Sequence, residues 1–302
     1  MRKVLIAVAA FGLLLTACAK SSTGGSTPSP KGPTAAKCAK SVTTYVTPDK
    51  LTIGTDNPAY PPYFQGDNTK GTEWKLNNPA TGKGFESAVA YEVAKRMGFA
   101  PDQVTWAVVP FVQSYAPGNK SFDFDINQIS YSKPRAQQVD FSDSYYDVNQ
   151  ALVAVKGTPI TQATSIADLK QYTLAAPLGT TSYDYIKNVI GAKVGVYQKL
   201  SDTVAALNAG QVDGIVVDLP TALYIADPYV QEVKNSVVVG QFPNPPGAKP
   251  EHFGMVLAKG SPLTQCVDLA LAEMKADRTL EAITTKWLSE KTNVGTVPVF
   301  KS

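Results

Sequence analysis

Residues 151–191 read ALVAVKGTPITQATSIADLKQYTLAAPLGTTSYDYIKNVIG, and they decide the fold class because strand and helix signals alternate along them. ALVAV is a short apolar run of strand length. Ser165 is placed to cap the helix SIADLKQY. YTLAA is a second short apolar run, and LGTTSYDYIKNVIG turns through Gly179 into another helix. The alternation continues on both sides. Downstream, Ser201-Asp202 can cap DTVAALNAG, DGIVV is a strand, and Asp218-Leu219-Pro220 starts a helix with proline suited to its first turn. After the Pro/Gly-rich QFPNPPGAKPEH come the strand FGMVLA and two closing helices, SPLTQCVDLALAEMKA and TLEAITTKWLSE. Upstream, residues 51–54 (LTIG) form a strand before the loop TDNPAYPPYFQGD. Phe85, Val89, Val93 and Met97 recur at steps of four, the stripe of an amphipathic helix over 84–97. Residues 104–109 read as a strand, and FDFDI (122–126) alternates as a half-buried strand does.

Strands alternating with helices imply an α/β fold. Two such series imply two lobes joined by two crossovers, near Asp147–Gln150 and Asn244–His252. The first lobe takes 46–148 and 250–302, and the second takes 149–249.

The N-terminus, MRKVLIAVAAFGLLLTACAK, has a basic start at Arg2 and Lys3 and an apolar run from Val4 to Leu15. The run is shorter than the ~20 residues that span a bilayer and has the flanks of a secretory signal. It ends in Leu15-Thr16-Ala17-Cys18, which resembles a bacterial lipobox. Residues 1–18 are thus expected to direct export, with Cys18 acylated, palmitate included, and anchoring the chain to the outer face of the cell membrane. The sequence holds three cysteines, an odd count for an exported protein. Lipidating Cys18 leaves Cys38 and Cys266 as a pair that an oxidising compartment allows to bridge. Residues 19–45, rich in Ser, Gly, Thr and Pro, read as a flexible tether.

Lys and Arg number 28 against 25 Asp and Glu, a net charge of +3; setting aside Arg2 and Lys3 leaves 26 against 25. No basic stripe points to nucleic acid. No clustered His or Cys points to a metal, and no phosphate-loop or dinucleotide motif points to a cofactor. The chain is expected to be a monomer without a cofactor.

Eight fragments then occur in a telling order: LTIGTDNPAYPPY, KGFESAVAYEVAKRMG, FDFDINQISYSKPRAQQVDFSDSYYD, ALVAVKG, SIADLKQYTLAAPLGTTSYDY, VDGIVVDLPTALYI, FGMVLAKGSPL and EMKADRTLEAITTKWL. Together they resemble bacterial solute-binding protein family 3, the receptors of polar amino-acid ABC transporters. The resemblance implies a two-lobed, hinge-closing type II periplasmic-binding fold, a polar amino acid as ligand and ABC permease subunits as partners.

It also implies a site. Ser130 and Arg135 stand where the family clamps the ligand's α-carboxylate, and a guanidinium fork matches two carboxylate oxygens. The turn at Gly179 and Thr181 would add N–H groups at a helix start. Asp218 would accept the α-ammonium. Tyr60 and Phe111 would sandwich the side-chain stem, while Asp56 and Glu86 would reach a polar or cationic end. Gln128 replaces a residue that is usually small. Pro177 and Val217 sit where some relatives place polar contacts, and GTEWKLNNPATGK (71–83) looks like an insertion. Read without the resemblance, Arg135 is an exposed cation beside Asp140 or Asp143, and Asp218 is a helix cap. Two other functions compete: a cyclohexadienyl dehydratase-like enzyme on the same fold, and an amino-acid sensor domain. The only histidine, His252, lies in the second crossover, so a Ser-His-Asp triad is not expected; an enzyme would have to use Asp56 and Glu86 for acid work, and no catalytic residues are expected.

Overall fold

The computed structural model describes residues 32–230, 232–244, 249–289 and 297–302; the expected leader, Cys18 and the tether up to residue 31 lie outside the described residues. Two five-stranded sheets organise the chain. The first runs β2 (Val104–Val108), β1 (Leu51–Thr55), β3 (Phe124–Asp125), β12 (Val256–Leu257), β4 (Asp140–Phe141). Here β1 is parallel to β2 and β3, and β12 is antiparallel to β3 and β4. The second runs β10 (Ser236–Gln241), β6 (Gln150–Val155), β9 (Gly214–Asp218), β7 (Thr173–Pro177), β8 (Lys193–Tyr197). In it β7 is parallel to β8 and β9, and β6 is antiparallel to β9 and β10. The strands β5 (Tyr146–Asp147) and β11 (His252–Phe253) pair antiparallel, so the two crossovers run side by side.

Burial explains the sequence patterns. α2 (Phe85–Arg96) lays Phe85, Val89 and Val93 into one core with Ile53, Phe124, Leu257 and α8 (Leu263–Ala276). Gly84 precedes it at φ +98°, and a Cβ there would stand 2.3 Å from the Tyr63 carbonyl oxygen, so no side chain fits. The second sheet is covered on both faces. One face meets Val204, Leu207, Ala222 and Ile225, from α6 (Leu200–Asn208) and α7 (Leu219–Ile225). The other meets Ile160, Leu169, Ile186 and Ile190. A sheet buried on both sides needs apolar residues throughout, which is why ALVAV and GIVV do not alternate.

Several expectations are corrected. The tether does not extend to residue 45: α1 (Ala35–Ser41), capped by Thr34, buries Ala35 and Ala39 against α8. A disulfide joins Cys38 to Cys266 across that contact, with their Cα atoms 5.3 Å apart. It closes a loop of 228 residues, worth at most about 5 kcal/mol in the chain-entropy model. FGMVLA is not one strand, because it splits at Gly254-Met255 between two ladders. Of 122–126 only Phe124–Asp125 is ladder-paired. SIADLKQY forms only a short 3₁₀ turn, Ala167–Gln171, though Ser165 Oγ does accept from Asp168 N. α6 begins at Leu200, one residue before the expected Ser201 cap, and has no side-chain cap. Residues 297–302 do not belong with the first sheet. Val299 bridges to Gln241, Phe300 stacks on Phe242 at 5.0 Å, and Lys301 bridges to Ser165. The chain therefore returns to the second sheet after α9 (Thr279–Thr284) and its final turn. Among the described residues no helix is long and apolar enough to cross a membrane.

Candidate functional site

A cavity of about 280 Å³ lies between the two sheets' loops. Residues from both lobes line it, including Asp56, Tyr60, Phe111, Gln128, Ser130 and Arg135 from the first and Thr181 and Asp218 from the second. Eight of the ten expected ligand residues thus meet there. Glu86 and Gly179 are not among the lining residues.

Arg135 sits in α4 (Lys133–Gln138), a short helix that Ser132 caps by accepting from Arg135 N. Its side chain is bent back into the protein and the residue is only 8% exposed. Nη1 donates to the Ser130 carbonyl at 2.6 Å, and Nη2 donates to the Gly179 carbonyl at 2.7 Å. The guanidinium lies over Tyr115 at 4.4 Å and over Phe111 at 5.5 Å. Among the described residues it has no carboxylate within ion-pair distance; Asp140 pairs with Lys259 instead, at 3.1 Å. With two of its five N–H groups engaged, the fork keeps three for another acceptor. A buried cation lacking an anion is unfavourable.

Gly179 serves differently from expectation. Its carbonyl, rather than its N–H, faces the site and accepts from both Arg135 and Tyr115, the latter at 3.1 Å. Its φ of +81° makes that orientation possible, and a Cβ would come within 2.9 Å of the Tyr115 hydroxyl. These bonds tie the lobes together. Thr181 Oγ1 with Ser130 Oγ at 3.4 Å, and Tyr63 OH with Thr221 Oγ1 at 3.1 Å, do the same.

Asp218 ends β9 and occupies the position before α7, but its side chain makes no cap bond. Instead Oδ1 accepts from Gln150 Nε2 at 2.7 Å, and the same amide donates to Glu251 Oε2 at 3.2 Å. Ser182 Oγ donates to the other end of the Gln150 amide. Burial and the neighbouring Glu251 push the Asp218 carboxyl up to about 8, against the pull of Gln150 and Arg135.

Glu86 stands behind the cavity wall. Fully buried in the first turn of α2, it accepts from Gln128 N at 2.7 Å, from Gln128 Nε2 and from the Tyr145 hydroxyl. Burial raises its carboxyl to about 7, although these donors favour the ionised form. It therefore holds Gln128, which has a left-handed φ of +49°, in place at the wall. Glu86 is thus set behind the lining residues rather than among them.

Asp56 is half-buried and accepts from Asn57 N at 2.7 Å. Burial raises its carboxyl, with bonds from the Asn57 and Phe111 backbones and the charges of Lys199 and Lys75 opposing. The 71–83 insertion packs behind this loop: Asn77 Nδ2 donates to the Ala59 carbonyl, and Lys75 N donates to Asn57 Oδ1. Pro177 and Val217 line the cavity, so part of its wall is apolar. His252 stacks on Tyr131 at 5.4 Å and is not a lining residue. No cluster of His, Cys, Asp or Glu suited to a metal occurs among the described residues.

Sequence reasoning missed Tyr115, Gln150, Glu251, Asn127 and Lys199. Tyr115, four residues after Phe111 in a short helical turn (α3, Phe111–Ser114), offered a spacing signal. The others offered none, since each looks like an ordinary polar loop or strand-end residue.

Comparison with known proteins bears on the family and the fold. The family model for bacterial extracellular solute-binding proteins, family 3, matches residues 51–290. The L-cystine-binding protein TcyJ of Escherichia coli (strain K12) is 30% identical over 241 residues, covering 78% of this chain and 82% of that one. The ABC transporter glutamine-binding protein GlnH of Bacillus subtilis (strain 168) is 26% identical over 225 residues, covering 71% and 77%. An ancestral arginine-binding protein solved with arginine superposes with a TM-score of 0.63 at 29% identity, covering 79% of this chain and 98% of that one. The two sheets, the paired crossovers and the cavity between them are those of the type II periplasmic-binding fold, and the chain belongs to the bacterial extracellular solute-binding proteins, family 3.

Proposed function

We propose that this chain is the receptor of an ABC importer, capturing a free amino acid outside the cell membrane by closure of its two lobes and delivering it to the permease. One observation carries the reading. Arg135, buried and without an anionic partner among the described residues, shares a cavity with the carboxyl of Asp218 on the opposite lobe. A zwitterion satisfies both at once: its carboxylate meets the guanidinium fork and the Thr181 hydroxyl, and its ammonium meets Asp218. Tyr60 and Phe111 flank the stem of its side chain. The relatives bind cystine, glutamine and arginine, and all three are such zwitterions. The bonds from Arg135 and Tyr115 to Gly179 join the lobes, so a ligand that engages Arg135 also favours closure.

The test is a thermal-shift screen of the mature chain against the proteinogenic amino acids, cystine and ornithine. A cognate ligand at a hundredfold excess over Kd stabilises by about 2.7 kcal/mol, a rise of roughly 5–10 °C for a domain of this size. A screen in which no amino acid raises Tm removes the reading.

The export signal and the lipobox-like LTAC sequence support the further reading that the receptor is a monomeric lipoprotein held by Cys18. Metabolic labelling with palmitate checks it: label is expected on the full chain and absent from Cys18→Ala. Label retained by that variant would rule the anchor out.

A further inference from the structure

The cavity has a second charged pole. Asp56 follows β1 and Asn127 follows β3; those strands are paired with Gly54 opposite Asp125, so both side chains stand at the same end of the sheet. Asn127 is 6% exposed, and its Nδ2 has no hydrogen-bond partner among the described residues although it lines the cavity. Across the cleft, the first turn of the nine-residue α6 enters the same cavity through Lys199, Leu200 and Ser201. No side chain caps this helix, so its leading N–H groups remain open to an acceptor. Lys199 forms no ion pair among the described residues, and its charge is felt at Asp56.

This arrangement repeats the chemistry of the first pole. There a cation, Arg135, and an acid, Asp218, face a ligand from opposite lobes. Here a cation with an open helix start and an acid, Asp56, do the same with the lobes exchanged. A ligand with a single zwitterionic head and a neutral side chain would satisfy the first pole and leave Lys199 and the leading N–H groups of α6 without a charged partner.

We propose that the cavity recognises an amino acid whose side chain ends in a second ammonium–carboxylate pair. Lys199 and the first turn of α6 receive the distal carboxylate, and Asp56 receives the distal ammonium. The proposal rests on the reading of Arg135 and Asp218 as the site of the first head.

Two ligand pairs isolate the distal carboxylate. L-Cystine and the mixed disulfide of L-cysteine with cysteamine differ only in that group, as do diaminopimelate and L-lysine. In calorimetry on the mature chain, the two-headed member of at least one pair is expected to bind about tenfold or more tighter than its counterpart, as loss of a charge-assisted contact implies. Lys199→Met, at an exposed position, should erase that preference while leaving the single-headed member within about threefold of its original affinity. If neither two-headed compound is preferred, or if Lys199→Met weakens both members of a pair equally or leaves the preference intact, the proposal is overturned. Binding of a single-headed amino acid that depends on Arg135, with no preference in either pair, overturns this proposal alone. Failure of every amino acid to bind overturns the underlying reading as well.

Discussion

Arg135→Ala is expected to raise the Kd for the cognate amino acid by roughly 150- to 5,000-fold, the cost of breaking a buried charge pair at about 3–5 kcal/mol. Two losses combine. The ligand's carboxylate loses its fork, and Gly179 loses one of the donors that hold the lobes together. Tyr115 still donates to the same carbonyl, so closure is weakened rather than abolished. Arg135→Lys restores little, because an ammonium cannot donate to the Ser130 and Gly179 carbonyls and also grip a carboxylate in a plane. Phe111 and Tyr115, the rings under the guanidinium, also pack against the buried Ile129, Val139 and Val256, contacts that do not involve Arg135. The unliganded variant should therefore melt within a few degrees of the parent. Calorimetric titration decides the matter: an unchanged Kd in Arg135→Ala would remove the residue from the site.

The poles of the site are legible in the sequence only through the family resemblance, which places Ser130, Arg135 and Asp218. The residues alone read as an exposed cation and a helix cap, because a Ser-x-Ser-x-x-Arg spacing and an acid at a strand end do not show that the two side chains face one cleft. Glu86 stands in a first helical turn, and the sequence does not show whether such a carboxylate turns toward the cleft or into the core. Its inward bonds depend on Gln128 adopting a left-handed φ, and no sequence pattern signals that conformation at glutamine. Gly179 was recognised as a turn residue, but which of its peptide groups faces the cleft depends on how the lobes meet. Lys199 looks like a solvated charge ahead of an amphipathic helix. α1 buries only two alanines, and the C-terminal return is made by single bridges at Val299 and Lys301. Neither contact is long enough to impose a period on the residues that make it.

Binding is expected to release a proton and to strengthen as pH rises. The free receptor's Asp218 carboxyl, raised to about 8, faces Glu251 from the second crossover, Gln150 from β6, Arg135 from α4, and the buried Glu86, Tyr63 and Tyr146. Burial is the largest cause and Glu251 the next. At pH 7 the free group holds its proton, whereas a ligand ammonium is held best by the carboxylate, so capture expels about one proton. Between pH 6 and pH 8 the affinity should rise about fifty-fold and then level off. The stability of the free receptor runs the other way. From about pH 4 to pH 8 the unfolded chain has lost a proton that native Asp218 retains, so the native state binds more protons and its stability falls with rising pH. Glu86, raised to about 7, adds to the fall over the lower part of that range. The ligand-induced rise in Tm should accordingly be larger at pH 8 than at pH 6. Titrations at pH 7 in phosphate and in Tris measure the proton count directly, because the two buffers differ in ionisation enthalpy. In Asp218→Asn the affinity should drop by about 100-fold, the buffer dependence should vanish and the pH profile should flatten. Identical heats in both buffers for the parent, with a Kd indifferent to pH, would mean that Asp218 is already ionised before the ligand arrives and that Glu251 does not act upon it.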